Sequence, residues 1–141
     1  MGELSRSRAT LRFLGDDLDP DEITTLLGRK PSASGKKGDV VPSSGPLGER
    51  TLRSGSWRLR TDECSPGNLE GQIRELLAGT TTDLNVWQYL GQSLKVDIFC
   101  GLFMDEWNEG ETLNPETLKL LGDRGINLAL DIYAPGESRD E

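Results

Sequence analysis

Leu18-Asp19-Pro20-Asp21-Glu22-Ile23, running on to Leu26-Leu27-Gly28, is a full set of helix-start instructions, and the chain writes it twice. The second copy is Leu113-Asn114-Pro115-Glu116-Thr117-Leu118, followed by Leu120-Leu121-Gly122. Asp19 and Asn114 are strong N-caps, because a side-chain oxygen can accept from the free N–H groups of the first turn. Pro20 and Pro115 take the first helical position, where the missing N–H costs nothing and the fixed φ suits the helix. Glu22 predicts a capping box with Asp19. Leu18 with Ile23, and Leu113 with Leu118, predict hydrophobic staples. The first helix is expected over 20–27, stopping at Gly28. A calcium loop is the other reading of the acidic run from Asp16 to Glu22. It needs glycine sixth and glutamate twelfth, and counting from Asp17 those places hold Glu22 and Gly28. Capping is the better reading.

Strands flank both helices. Residues 9–14 alternate, with Leu11 and Phe13 on one side and Thr10 and Arg12 on the other. Residues 56–61 do the same, placing Trp57 and Leu59 opposite Arg58 and Arg60. The longest strand is expected at 94–103, with Leu94, Val96, Ile98, Cys100 and Leu102 on its apolar side. The last is expected at 126–133, burying Ile126, Leu128, Leu130 and Ile132. Between them, 68–78 carries a helical stripe of Leu69, Ile73, Leu76 and Leu77, and a further turn or two is expected around 84–90. Residues 29–54 are rich in Gly, Pro, Ser and Lys, with a short strand expected near 37–41; a connection this long is usually functional or mobile. The order implies an α+β fold: a mixed or antiparallel sheet of about four to five strands with helices on one face. Its strand–helix–strand halves would be related by a pseudo-twofold, in ferredoxin-like style. The expected division is a flexible lead at 1–8, a single domain at 9–134 and a flexible tail at 135–141.

Composition narrows the function. The chain has 141 residues and no histidine, which removes the commonest general base and with it every Ser-His or Cys-His mechanism. Cys64 and Cys100 are too few for a disulfide scaffold or a cysteine metal site, and Cys100 reads as a core thiol. No apolar run approaches membrane-spanning length, and the N-terminus has no secretory h-region, so the expected home is the cytoplasm. The net charge of −8 opposes nucleic-acid binding. Residues 29–60 nevertheless hold eight basic and two acidic side chains, a local +6 that leaves −14 on the remainder.

The motifs Gly15-Asp16-Asp17-Leu18-Asp19-Pro20, Gly55-Ser56-Trp57, Leu113-Asn114-Pro115 and Asp131-Ile132-Tyr133 resemble a bacterial family known only as domain of unknown function 4279. The resemblance spans roughly residues 9–134. It implies a small stand-alone bacterial protein and brings no catalytic residues, metal or cofactor with it.

Three places could bind. The first is the polar side of the sheet, where Arg12, Arg58, Arg60, Lys95, Asp97, Asn127 and Asp131 are joined by Phe99 and Tyr133; such a surface suits a partner or a set of cross-strand ion pairs. Asp97 and Asp131 could form a catalytic carboxylate pair, although sequence fixes no separation between them. The second is the basic loop, either a solvated loop leaning on the protein's own acidic residues or a loose anion site of Arg29, Lys36, Lys37, Arg50 and Arg53; its glycine spacing is not that of a phosphate-binding Walker loop. The third is Trp107 in its acidic loop, a partner anchor or a lid over the sheet edge. Trp57 and Trp87 read as core. The leading expectation is a non-enzymatic interaction protein, immunity-like in one version, with another protein as partner. A sensor of small anionic ligands is the alternative, a carboxylate- or metal-based enzyme a third, and a homodimer through the sheet face remains open.

Overall fold

Each helix among the described residues begins on the side chain its sequence supplies. The computed structural model describes residues 1–136, so most of the expected tail at 135–141 lies outside them. Helix α1 (Pro20–Leu27) opens with Asp21 N–H donating to Asp19 Oδ1 at 3.1 Å. Helices α2 (Leu69–Leu77) and α3 (Leu84–Ser93) start on Asn68 and Asp83, and α4 (Pro115–Asp123) on Asn114, which accepts from Thr117 N–H at 2.9 Å. Gly28 ends α1 at φ 77°, a left-handed conformation that favours glycine. Leu18 and Ile23 are both buried, as the staple requires. Glu22 does not close the box on Asp19; it accepts from the Tyr89 hydroxyl at 3.4 Å.

The second copy departs from the first. Its helix runs through Gly122 to Asp123, and the left-handed turn falls at Gly125, φ 67°. Leu118 is half exposed, so it makes no staple like that of Ile23.

Nine strands complete the fold among the described residues: β1 (Gly2–Glu3), β2 (Arg6–Gly15), β3 (Ala33–Gly35), β4 (Val40–Pro42), β5 (Glu49–Thr51), β6 (Gly55–Arg60), β7 (Lys95–Phe103), β8 (Glu109–Gly110) and β9 (Asn127–Tyr133). The main sheet has the order β3-β6-β2-β7-β9, antiparallel except for the β7–β9 pair. The two capped units therefore enter the sheet differently. Strand β3, which follows α1, runs parallel to β2 but one strand away, with β6 between them and antiparallel to both, whereas β9, which follows α4, pairs directly and in parallel with β7. The long 29–54 segment then turns the chain back from β3 into β6. That segment is not one loop: it holds β3, a turn at 36–39 and the β4–β5 hairpin, and the strand expected near 37–41 is β4, shifted past the turn. Strand β2 starts three residues before the expected Ala9 and, at ten residues, exceeds β7 at nine.

All four helices pack on the side of the sheet that carries Leu11, Phe13, Trp57, Leu59, Ile98 and Cys100. Phe13 is the hub: it meets Trp57 edge-on at 5.4 Å and stacks on Trp87 at 5.8 Å. Both tryptophans are core, and their indole N–H groups are satisfied by Thr24 Oγ1 (3.0 Å) and Thr81 O (2.9 Å). Gly55 closes the β2–β6 end, where a Cβ would meet Gly15 O at 2.7 Å and Leu18 Cβ at 2.8 Å. The expectation for β9 needs correction. Ile126 is buried, but Leu130 and Ile132 are 50% and 59% exposed. The nine residues of α4 span only about 14 Å while the seven of β9 span about 23 Å, so the helix covers one end of the strand.

Candidate functional site

Register fixes what the uncovered face carries. Arg12 lies opposite Arg58 on one side and Asp97 on the other, and Asp97 lies opposite Asn127, giving one cross-strand row. The next row holds Arg60, Thr10, Phe99 and Ala129, and beyond it Arg8, Gly101 and Asp131 align. Leu14 and Lys95 stand at one end; Arg6, Phe103 and Tyr133 stand at the other. Every residue assigned to this face from alternation is on it: Arg12, Arg58, Arg60, Lys95, Asp97, Phe99, Asn127, Asp131 and Tyr133. Arg6, Arg8 and Phe103 were missed. The same alternation reaches them once β2 is started at Arg6, and it puts Phe103 beside Phe99. The strands thus present Arg6, Arg8, Arg12, Arg58, Arg60 and Lys95 against Asp97 and Asp131, which makes the face cationic rather than evenly mixed.

Most of these groups already have work to do. Arg12 grips Asp97 with Nε at 2.8 Å and Nη2 at 2.6 Å, a bidentate pair whose carboxylate is almost fully buried. That bond raises the Arg12 pKa against the opposing effect of burial. The same guanidinium lies 4.6 Å over the Phe99 ring. Tyr133 donates its hydroxyl to Asp131 at 2.8 Å and stacks on Phe103 at 4.8 Å, with the guanidinium groups of Arg6 and Arg8 also over the Phe103 ring. Asp97 and Asp131 do not converge: Asp131 aligns with Gly101, about 13 Å along the sheet from Asp97.

Arg58 is different. Burial first, and then Arg12 beside it, push its pKa below the ordinary value; Arg50 and Arg60 add to this and Asp97 opposes it. Among the described residues it forms no ion pair, and the same holds for Arg50, Arg53 and Arg60. The reason Arg50 and Arg53 come near is local. Gly35 has no side chain, and a Cβ there would collide with Leu52, so the segment after β5 folds over the open face. Leu52 is pinned by its N–H to Asp39 O at 2.8 Å and by Gly38 N–H to its own carbonyl at 2.9 Å. The result is a cleft of about 860 Å³ floored by Leu14, Ser56 and Arg58 and walled by residues 50–54, including Arg50, Arg53 and Ser54. Its lining contains three arginines and no carboxylate.

The basic loop expected from sequence is divided by this fold. Arg50 and Arg53 join the sheet face through the cleft. Arg29 does not: its Nη1 donates to Glu75 O, Leu76 O and Ala78 O at 2.6, 3.0 and 2.7 Å, capping the C-terminal end of α2. Lys37 reaches Asp16 at 3.4 Å, and neither it nor Lys36 lines the cleft. Trp107 is 88% exposed, so it folds over nothing and is no lid.

No cluster of ligating side chains able to hold a metal ion occurs among the described residues. No helix there is long and apolar enough to cross a membrane. Neither a curated protein nor a solved structure matches the chain. A family model described as Domain of unknown function (DUF4279) matches residues 5–135, and the cap motifs, Gly55 against Gly15, and the buried Trp57 all lie within that match. With nearly its whole length covered, the chain belongs to the DUF4279 family.

Proposed function

We propose that this protein is a non-enzymatic binding domain whose cleft receives an anionic group, either on the surface of another protein or on a small ligand. One observation carries the reading: Arg50, Arg53 and Arg58 share a cleft with no carboxylate in its lining. A carboxylate or phosphate entering there gains charge-assisted hydrogen bonds and relieves the crowding of like charges around Arg58. The net charge of −8 opposes a long phosphate backbone, so the proposed ligand is a compact anion or an acidic segment rather than nucleic acid. An immunity-like role in the cytoplasm is the protein-partner version of the same proposal, in which complementary charge speeds the encounter.

Thermal shift against pyrophosphate, citrate and a glutamate oligomer tests it. At one hundred times Kd, mass action stabilises by about 2.7 kcal/mol; for a chain of this size that raises Tm by roughly 5–11 °C. Arg58→Gln should abolish the shift while leaving the unliganded Tm equal or higher. A response only to the oligomer favours a protein partner, and a response to citrate or pyrophosphate favours a small ligand. No shift from any of the three at millimolar concentration refutes the proposal.

A further inference from the structure

The helix side of β9 holds an apolar pocket of about 300 Å³ that the cationic cleft does not touch. Its walls are Leu4, Leu69, Leu102 and Leu113, and its open margin is Leu130 and Ile132, the two residues that α4 is too short to cover. β9 is also the last strand of the sheet, and its outer edge pairs with no strand among the described residues. Edge strands are normally blunted by lysine, proline or a bulge. β9 reads Asn-Leu-Ala-Leu-Asp-Ile-Tyr, with no lysine or proline, and its one charge, Asp131, projects to the opposite face. The charged groups lining the pocket are Glu109 and Glu111, and no lysine or arginine is in that lining. Glu109 is fixed by four donors, Ser5 N–H and Oγ–H and the N–H groups of Asp105 and Glu106, whereas Glu111 accepts from Leu69 N–H through one oxygen at 3.2 Å.

We infer that an extended segment of a partner protein, apolar at alternate residues and carrying a lysine or arginine, adds to the outer edge of β9. An apolar side chain fills the pocket and the cation meets Glu111. Main-chain hydrogen bonds supply affinity in this mode, and the pocket supplies specificity at alternate residues. The acidic margin selects a cationic segment.

The test uses the full chain with a capped heptapeptide of alternating valine and serine flanked by lysines, its twin flanked by glutamates, and octylamine. Binding of the lysine peptide should be saturable, move the methyl resonances of Leu128, Leu130 and Ile132, and slow amide hydrogen exchange along β9. The glutamate twin should bind at least tenfold more weakly at low salt. Leu130→Arg, at a half-exposed position, should abolish binding with Tm unchanged. Glu111→Gln keeps the acceptor for Leu69 N–H and should erase the preference for lysine. Equal affinity for both peptides, or none up to millimolar concentration, overturns the inference. Octylamine moving the same methyls while the lysine peptide protects no β9 amide overturns it in favour of a small amphipathic cation. Protection of β9 that rises with protein concentration alone overturns it in favour of a second copy of the chain.

Discussion

Replacing Asp97 by alanine is the sharpest perturbation of the open face. Its side chain is 3% exposed and receives both bonds from Arg12, whose own side chain is 19% exposed. The substitution leaves Arg12 beside Arg58 with no counter-charge between the central strands. Removing one partner of a buried pair costs about 3–5 kcal/mol. Arg12 keeps some contact with water, so the lower end applies, about 3 kcal/mol. For a chain of this length that lowers Tm by roughly 6–12 °C. Urea unfolding at pH 7 measures it, with an unchanged m-value confirming that only stability has moved. If the cost is stranded positive charge, Arg58→Gln in the Asp97→Ala background should recover part of the loss, a coupling a double-mutant cycle reads directly. A loss below about 1 kcal/mol, or one indifferent to Arg58, would refute the reasoning, because it would mean the pair contributes no more than an exposed one.

Other consequences are equally concrete. Gly55→Ala drives a Cβ against the Gly15 carbonyl and Leu18 Cβ, atoms that cannot move aside cheaply, and should cost about 1–3 kcal/mol in urea unfolding. Burial, with Asp97 adding to it, pushes the Cys100 thiol up to about 12, so at pH 8 a disulfide reagent should titrate only Cys64 in the folded protein and both cysteines in denaturant. The hydrogen bonds from Glu106, Ser5 and Asp105 hold Glu109 below its ordinary pKa despite the opposing desolvation. Its contribution is therefore present above the ordinary carboxylate value and is lost as the pH falls through the depressed one; Glu109→Gln should flatten the acid limb of a stability–pH profile and leave pH 7–8 unsloped.

Local rules carried far here because they need only neighbours in sequence. Asp19, Asn114 and the two prolines place α1 and α4 without reference to anything distant, since caps satisfy N–H groups two or three residues away. The period of two places Arg12, Arg58, Asp97 and Tyr133 on a common face for the same reason. The errors began where a side chain spends itself on a remote element. Arg29 reads as a candidate for an anion site, but its guanidinium is held by carbonyls near α2, more than forty residues away in sequence. Arg6 and Arg8 escape local pattern because the alternation of β2 fades before the strand does.

The sequence by itself determined where the helices begin, which residues share a face of each strand, and that both tryptophans of the apolar stripes are core. These follow from backbone valence and side-chain alternation, which act within a few residues. Only the tertiary structure decided that the last strand is parallel, that Arg50 and Arg53 meet Arg58 across Gly35, and that Leu130 and Ile132 lie uncovered. Alternation assigns a residue to a face; whether that face is covered depends on the length and placement of a helix packed from elsewhere, and no local pattern encodes it.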